Sequence, residues 1–390
     1  MRRLSASLPC LLCLLAGCAV GPDYKRPTVD APQTFRFQDE PGLQRQQGQQ
    51  QGQQGGQMAD VANTAWWAQF RDPTLDELIA IALHENKDVK IAASRIELFL
   101  GQYASTRSLL LPQLGANLNG SRGRGPTGTT GPGIEPVMKQ YEASLSTSWE
   151  LDLFGRRRRE TEAAHAQVLA SEEGRRATVL TLVSSVATSY IILRELERQL
   201  QIARDTTASR EKSYLLFKDR FEGGTVSELE LAQTKSLWEG SLVEIPRLED
   251  LIGRQENALS VLLGRNPGPI RAGQPLEALV LPAVPAGLPS ALLERRPDLR
   301  QAEQELVAAN ALIGAARAQY FPTISLTGLL GYISKDFSNL FSGSTRVWSY
   351  GLSASMPIFT GGGIAGQVQQ AEAQQQEALF RYQKTIQTAF

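Results

Sequence analysis

Residues 141–222 join two periodicities without a break. An apolar/polar alternation passes through Gly155 into a seven-residue repeat, and no proline occurs between Pro136 and Pro246. In the first part Tyr141, Ala143, Leu145, Trp149, Leu151 and Leu153 are apolar, whereas Glu142, Ser144, Ser146, Ser148, Glu150 and Asp152 are polar. Period two is the signature of a strand with two unlike faces. A strand in a soluble sheet runs about 5–6 residues. This alternation lasts about 13, which suits a tilted strand crossing a bilayer, with Leu145, Trp149 and Leu151 toward lipid and Ser144 and Ser146 toward a lumen.

After Arg156, Arg157, Arg158 and Arg159, the residues Val179, Val186, Leu193 and Leu200 recur every seventh position, joined by Val183 and Tyr190. A second stripe holds Leu182, Leu196 and Ala203. Two seams predict a coiled-coil helix with neighbours on two sides. From 156 to 222 it would extend roughly 100 Å at 1.5 Å per residue. The four arginines are read as a basic collar at the membrane surface.

The chain has 390 residues with 40 basic and 40 acidic side chains, a balance that gives no case for nucleic acid. Residues 1–17 hold Arg2, Arg3 and a short apolar run, which reads as a secretion signal too short to span a bilayer. All three cysteines lie in or beside it. Leu15-Ala16-Gly17-Cys18 resembles the lipobox of bacterial lipoproteins, which implies that Cys18 becomes the first mature residue, carrying N-palmitoyl and S-diacylglycerol. Ala19 in the next position implies sorting to the outer membrane. No disulfide is then expected.

Residues 18–65 read as an extended, lipid-anchored tether with a Gln/Gly insertion at 44–57. A first unit, 66–264, contains a capped helix start at Asp72-Pro73, a second helix from near Asp88 toward Leu111, a hairpin at 112–154 and long helices over 156–263. Ser227-Glu228-Leu229-Glu230 is a capping box, and Pro246 should kink its helix. Residues 265–289 form a Pro-rich linker. The unit then repeats over 290–390 as a helix, a hairpin at 322–360 and a final helix. Leu111-Pro112 answers Phe321-Pro322, and Ser146-Thr147-Ser148 answers Ser353-Ala354-Ser355, at offsets of about 210 and 207. In the second hairpin Trp348 and Leu352 fall in the lipid phase and Ser353 in the lumen phase. Against the first unit, the second is expected to lack about 80 residues and to end in a truncated helix.

Four strands per chain cannot close a barrel, since the smallest have about eight, and a bilayer tolerates no open edge. Copies must share one, and the double seams of the helix require neighbours in the same way. The architecture read from the residues is therefore mixed α and transmembrane β: long antiparallel coiled-coil helices plus two β-hairpins per chain, assembled into a barrel continuous with a helical tunnel.

The strings Trp66-Trp67-Ala68-Gln69-Phe70-Arg71-Asp72-Pro73-Thr74-Leu75, Trp149-Glu150-Leu151-Asp152-Leu153-Phe154-Gly155, Glu294-Arg295-Arg296-Pro297-Asp298 and 308–322 resemble the outer-membrane lipoprotein factors of tripartite efflux pumps, the TolC type in its NodT branch. The resemblance covers nearly all of 18–390 apart from the Gln/Gly tract. It implies a homotrimer with a twelve-stranded barrel in the outer membrane, a periplasmic helical tunnel, and docking to a periplasmic adaptor and an inner-membrane transporter, usually of the resistance-nodulation-division type. It implies a passive duct and no enzyme.

His84 and His165 lack metal-ligand neighbours at helical spacing and read as solvated or packed helix residues. Gly361-Gly362-Gly363 reads as the bend from strand into helix. No cofactor and no metal ion is expected, and no acid, base and nucleophile converge. Two alternatives remain: an export channel for a type I protein or peptide secretion system, and a lipid-anchored coiled-coil spacer or adhesin. The spacer has no use for two long lipid-facing hairpins.

Overall fold

The computed structural model describes residues 19–28, 65–124, 137–281 and 294–390. Cys18, the Gln/Gly tract, the middle of the first hairpin loop and residues 282–293 of the linker region lie outside them. In chain order the elements are α1 Pro73–Glu85, α2 Lys87–Ser108, β1 Gln113–Arg124, β2 Val137–Leu151, α3 Arg156–Glu222, α4 Glu228–Leu242, α5 Glu244–Leu262, α6 Pro297–Ala318, β3 Thr323–Ser334, β4 Arg346–Ser355 and α7 Gly363–Ala389.

The sequence repeat reappears as repeated structure. Helices α2 and α6 are each 22 residues long, and strands β1 and β3 each 12. Gly155 and Gly362, one before α3 and one before α7, have φ of +80° and +88°. Only glycine adopts that conformation at little cost, so both exits from a strand into a helix use the same device. The compact units do not follow the repeats. Of the described residues, one holds 19–28, 96–124, 137–171 and 299–390, and the other 65–95, 172–281 and 294–298.

The second of these units is helical. Its core gathers Leu75, Leu78, Ile79 and Ala82 of α1, Val183, Val186, Tyr190 and Leu193 of α3, and Leu259 of α5 with Leu263. Of the heptad stripe Val183, Val186, Tyr190, Leu193 and Leu200 are buried and Val179 half-buried, while of the second stripe Leu182 is buried and Leu196 and Ala203 are half-buried. Asp72 caps α1 by accepting from the Thr74 N–H at 2.9 Å. Asn86 links α1 to α2, accepting from the Asp88 N–H at 2.8 Å and donating to the Leu262 carbonyl at 2.9 Å. Near Pro246 the helix is interrupted for one residue, Val243, which separates α4 from α5 and keeps helical dihedrals, because proline offers no N–H to continue the ladder. The Ser227 capping box forms as written, with Glu230 as its partner.

The other unit contains the sheet and the helix segments around it. Ala163 and Ala166 of α3 meet Ala308 and Ala311 of α6, small side chains that let two helices approach closely. Ile313 and Ala316 of α6 pack on Ala371 of α7. Strand β2 stops at Leu151, earlier than the alternation suggested, because Asp152 leaves the ladder to cap α3.

Candidate membrane and channel surfaces

The four strands form one antiparallel sheet in the order β1-β2-β3-β4. In an antiparallel ladder, residues directly opposite each other project from the same face, so the register assigns every strand position. Ala116, Leu145, Leu330 and Trp348 form one row across the sheet. The next same-face row toward the helices is Leu114, Thr147, Gly328 and Tyr350, and the following one joins Trp149 to Leu326 and Leu352. Leu151 pairs with Ile324 in the last row. This face is apolar and uncovered: Leu114 is 83 % exposed, Leu145 59 %, Trp348 65 % and Leu352 69 %.

The opposite face holds Gln113, Asn117, Ser144, Ser146, Ser148, Glu150, Ser325, Thr327, Ser349 and Ser353. Its polar groups bond to one another. Ser144 donates to Glu142 at 2.7 Å, and Asn117 donates to the Ser146 hydroxyl at 3.3 Å. The two sets of positions separated by alternation alone therefore fall on opposite faces of one sheet, across both hairpins. Met138, Leu329, Ile333 and Val347 are apolar exceptions on the polar face.

Where β2 passes into α3, a polar junction forms that the sequence reading missed. The Trp149 indole N–H donates to the Leu110 carbonyl at 3.0 Å. The Asp152 carboxylate accepts from the backbone N–H groups of Arg157 and Arg158, both at 3.0 Å, satisfying two orphan donors of the helix start. Arg156 and Arg157 pair with Glu150 at 2.7 and 2.9 Å, Arg158 pairs with Asp152 at 3.1 Å, and the buried Arg159 pairs with Asp23 at 2.6 Å and Glu162 at 2.8 Å. Burial disfavours the Arg159 cation, yet its hydrogen bonds to Asp23 and Glu162 outweigh that and hold its pKa above the ordinary value. Each of the four cations read as a collar is thus engaged by a carboxylate of the chain itself. The spacing of Glu150 and Asp152 just ahead of the run was the available signal.

The extended segment after Cys18 is docked. The Val20 N–H donates to the Phe154 carbonyl at 3.0 Å, Asn310 donates to the Pro22 carbonyl at 3.0 Å, and Arg26 pairs with Glu303 at 2.8 Å. A Cβ on Gly155 would lie 2.8 Å from the Ala19 Cα, so the glycine also makes room for the strap. Ala19, the neighbour of Cys18, thereby sits at the helix-side end of the sheet.

Of the two histidines, His84 is exposed and contacts Glu85 at 2.7 Å, while His165 lies with its ring 5.4 Å from that of Tyr103. Among the described residues no cluster of three or more His, Cys, Asp or Glu side chains could hold a metal ion.

The outer membrane efflux protein family matches residues 78–265 and 288–390. The toluene efflux pump outer membrane protein TtgC of Pseudomonas putida is 37 % identical over 394 residues, covering 100 % of this chain and 79 % of the relative. The cation efflux system protein CusC of Escherichia coli is 34 % identical over 386 residues, covering 98 % and 79 %. Among solved structures, the open state of the MtrE outer membrane channel of Neisseria gonorrhoeae superposes with a TM-score of 0.80 at 33 % identity, covering 95 % of this chain and 79 % of that one. On the family match and these relatives, the chain belongs to the outer membrane efflux protein family.

Proposed function

We propose that three copies of this chain close a twelve-stranded barrel and a helical tunnel, giving a passive exit duct across the outer membrane and periplasm. The chain is an outer-membrane efflux component; the trimer, the phase of the strands and the named partners are what the proposal adds. One observation carries it: the sheet is two-faced along all four strands, yet β1 and β4 are left as edges. In hydrocarbon an unpaired backbone edge costs several kcal/mol per group. Pairing β4 of one copy with β1 of the next removes every edge.

On this reading Leu145, Trp149, Leu151, Trp348 and Leu352 face lipid, and Ser144, Ser146 and Ser353 line water. Cys18 carries the acyl anchor next to the docked strap. A periplasmic adaptor and an inner-membrane transporter deliver the cargo and supply the energy, and the chain catalyses nothing. A wide polar lumen selects weakly, which accords with relatives named for toluene and for cations. The export of a protein or peptide uses the same duct and remains the second reading within the class.

The test is a deletion strain challenged with a panel of solvents, drugs and metal ions. Sensitisation rescued by the native gene, and not by Leu145→Arg, supports the duct. Unchanged susceptibility across the panel, with secretion of a polypeptide lost, favours the second reading.

A further inference from the structure

On the apolar face of the sheet the charged strand residues are all of one sign and all at one end. Arg122 and Arg124 of β1, Lys139 of β2 and Arg346 of β4 belong to this face by register, and its described strand positions include no carboxylate. All four are exposed. They lie toward the turns joining β1 to β2 and β3 to β4, the end farther from the strand–helix junctions of α2 and α3.

Arg122 stands directly opposite Lys139. Like charges so placed destabilise a sheet, and an anion between them would reverse the sign. Lys139 lies just beyond the β2–β3 ladder, which begins at Tyr141, so the Arg122–Lys139 pair stands at the outer margin of the sheet.

A second observation lies just beneath. In the β3–β4 turn Phe337 packs edge-on against Tyr141 at 5.6 Å, and Phe341 against Tyr332 at 5.5 Å. Both tyrosines belong to the apolar face, so the turn folds its phenylalanines over the outside of the sheet. Phe337 and Phe341 remain 70 % and 69 % exposed there. Arg122 and Lys139 beyond the row of Tyr141, and Arg346 in the row of Tyr332, set cations beside exposed aromatics at the end of an aliphatic band, which matches a lipid whose headgroup is anionic. The only carboxylate of that turn among the described residues is Asp336.

We propose that this end of the outward face binds the phosphorylated glycolipid of the outer leaflet, with Arg122, Lys139 and Arg346 on its phosphates and Phe337 and Phe341 against its acyl chains. The inference rests on the lipid-facing phase proposed above.

The full-length acylated protein in neutral detergent is titrated with a bisphosphorylated, acylated glucosamine disaccharide, with the same lipid after dephosphorylation, and with inorganic phosphate. The phosphorylated lipid should bind preferentially. Lys139→Gln should weaken it about five-fold and the Arg122→Gln, Lys139→Gln, Arg346→Gln triple variant more than tenfold, taking about one such increment per cation near a lipid surface. Arg254→Gln in α5 should change nothing. Equal binding of both lipids, equal binding by the triple variant, or full displacement by inorganic phosphate would overturn the site. If the triple variant loses the native circular dichroism, Lys139→Gln alone decides.

In vesicles with brominated acyl chains, the emission lost in Trp348→Phe reports the phase separately. Quenching without headgroup preference sinks only the glycolipid site, and no quenching sinks the lipid-facing reading beneath it.

Discussion

The hydroxyl of Tyr190 in α3 donates a hydrogen bond to the carboxylate of Asp72, 118 positions earlier in the chain. Asp72 is 1 % exposed and accepts also from the backbone N–H groups of Thr74 at 2.9 Å and Gln274 at 3.3 Å. One carboxylate thus ties α1, α3 and the segment after α5. Burial, then the bond to Asp72, pushes the Tyr190 hydroxyl well above its ordinary pKa. Tyr190→Phe should lower the stability of the helical unit by about 1–3 kcal/mol, because it leaves a buried charge one donor short. Thermal unfolding followed by circular dichroism measures it, and a variant that melts with the native protein would show that the bond contributes little.

The second expectation concerns the two faces. Arg at Leu145 or Leu352 should cost about 2–4 kcal/mol near the middle of the bilayer, while Arg at Ser146 or Ser353 should be tolerated. Yields of membrane-assembled protein from the paired variants are the readout. Equal loss on both faces would remove the basis for the phase.

Much of this was legible in the sequence, and the rest was hidden for physical reasons. Helix α3 spans 67 residues between Gly155 and Gly223, because glycines and an uninterrupted heptad are local signals. Strand parity was also local, and it put Leu145 and Trp348 on one face. Their position in one row was not readable, since the β2–β3 pairing joins the two hairpins across more than 170 positions of chain. The pairing of the arginines after Gly155 was not readable, because a charge run shows its partners only once its carboxylates are placed. The docking of the tether at 19–28 was not readable because its partners, Phe154, Asn310 and Glu303, are remote in sequence.

A third expectation follows from the α4 cap. The Ser227 backbone N–H, then its hydroxyl, hold Glu230 below the ordinary carboxylate value of 4.5. A folded pKa lowered in this way contributes stability that is present above 4.5 and is lost as pH falls through the folded value. Glu230→Gln should therefore flatten the acid limb of the stability curve and leave the alkaline side unchanged. Melting temperatures of both proteins across the acid range test it, and parallel curves would contradict it.

For the anchor, mass spectrometry of the mature N-terminus should find an acylated Cys18, absent from Cys18→Ser. Arg159→Met removes the partner of Asp23, so it should raise cleavage of the strap by added protease several-fold while acylation persists. A strap equally resistant in that variant would mean that the pair does not hold it.

The most direct test of a water-filled duct with these walls is single-channel conductance of the full-length protein in a planar bilayer. Ser146→Cys and Leu145→Cys, each in a Cys18→Ser background, are compared before and after a charged, water-soluble thiol reagent. A step-like fall in conductance for Ser146→Cys and none for Leu145→Cys is expected. A fall only at Leu145→Cys, or no ionic conductance from the native protein, would contradict the channel and the assignment of its faces together.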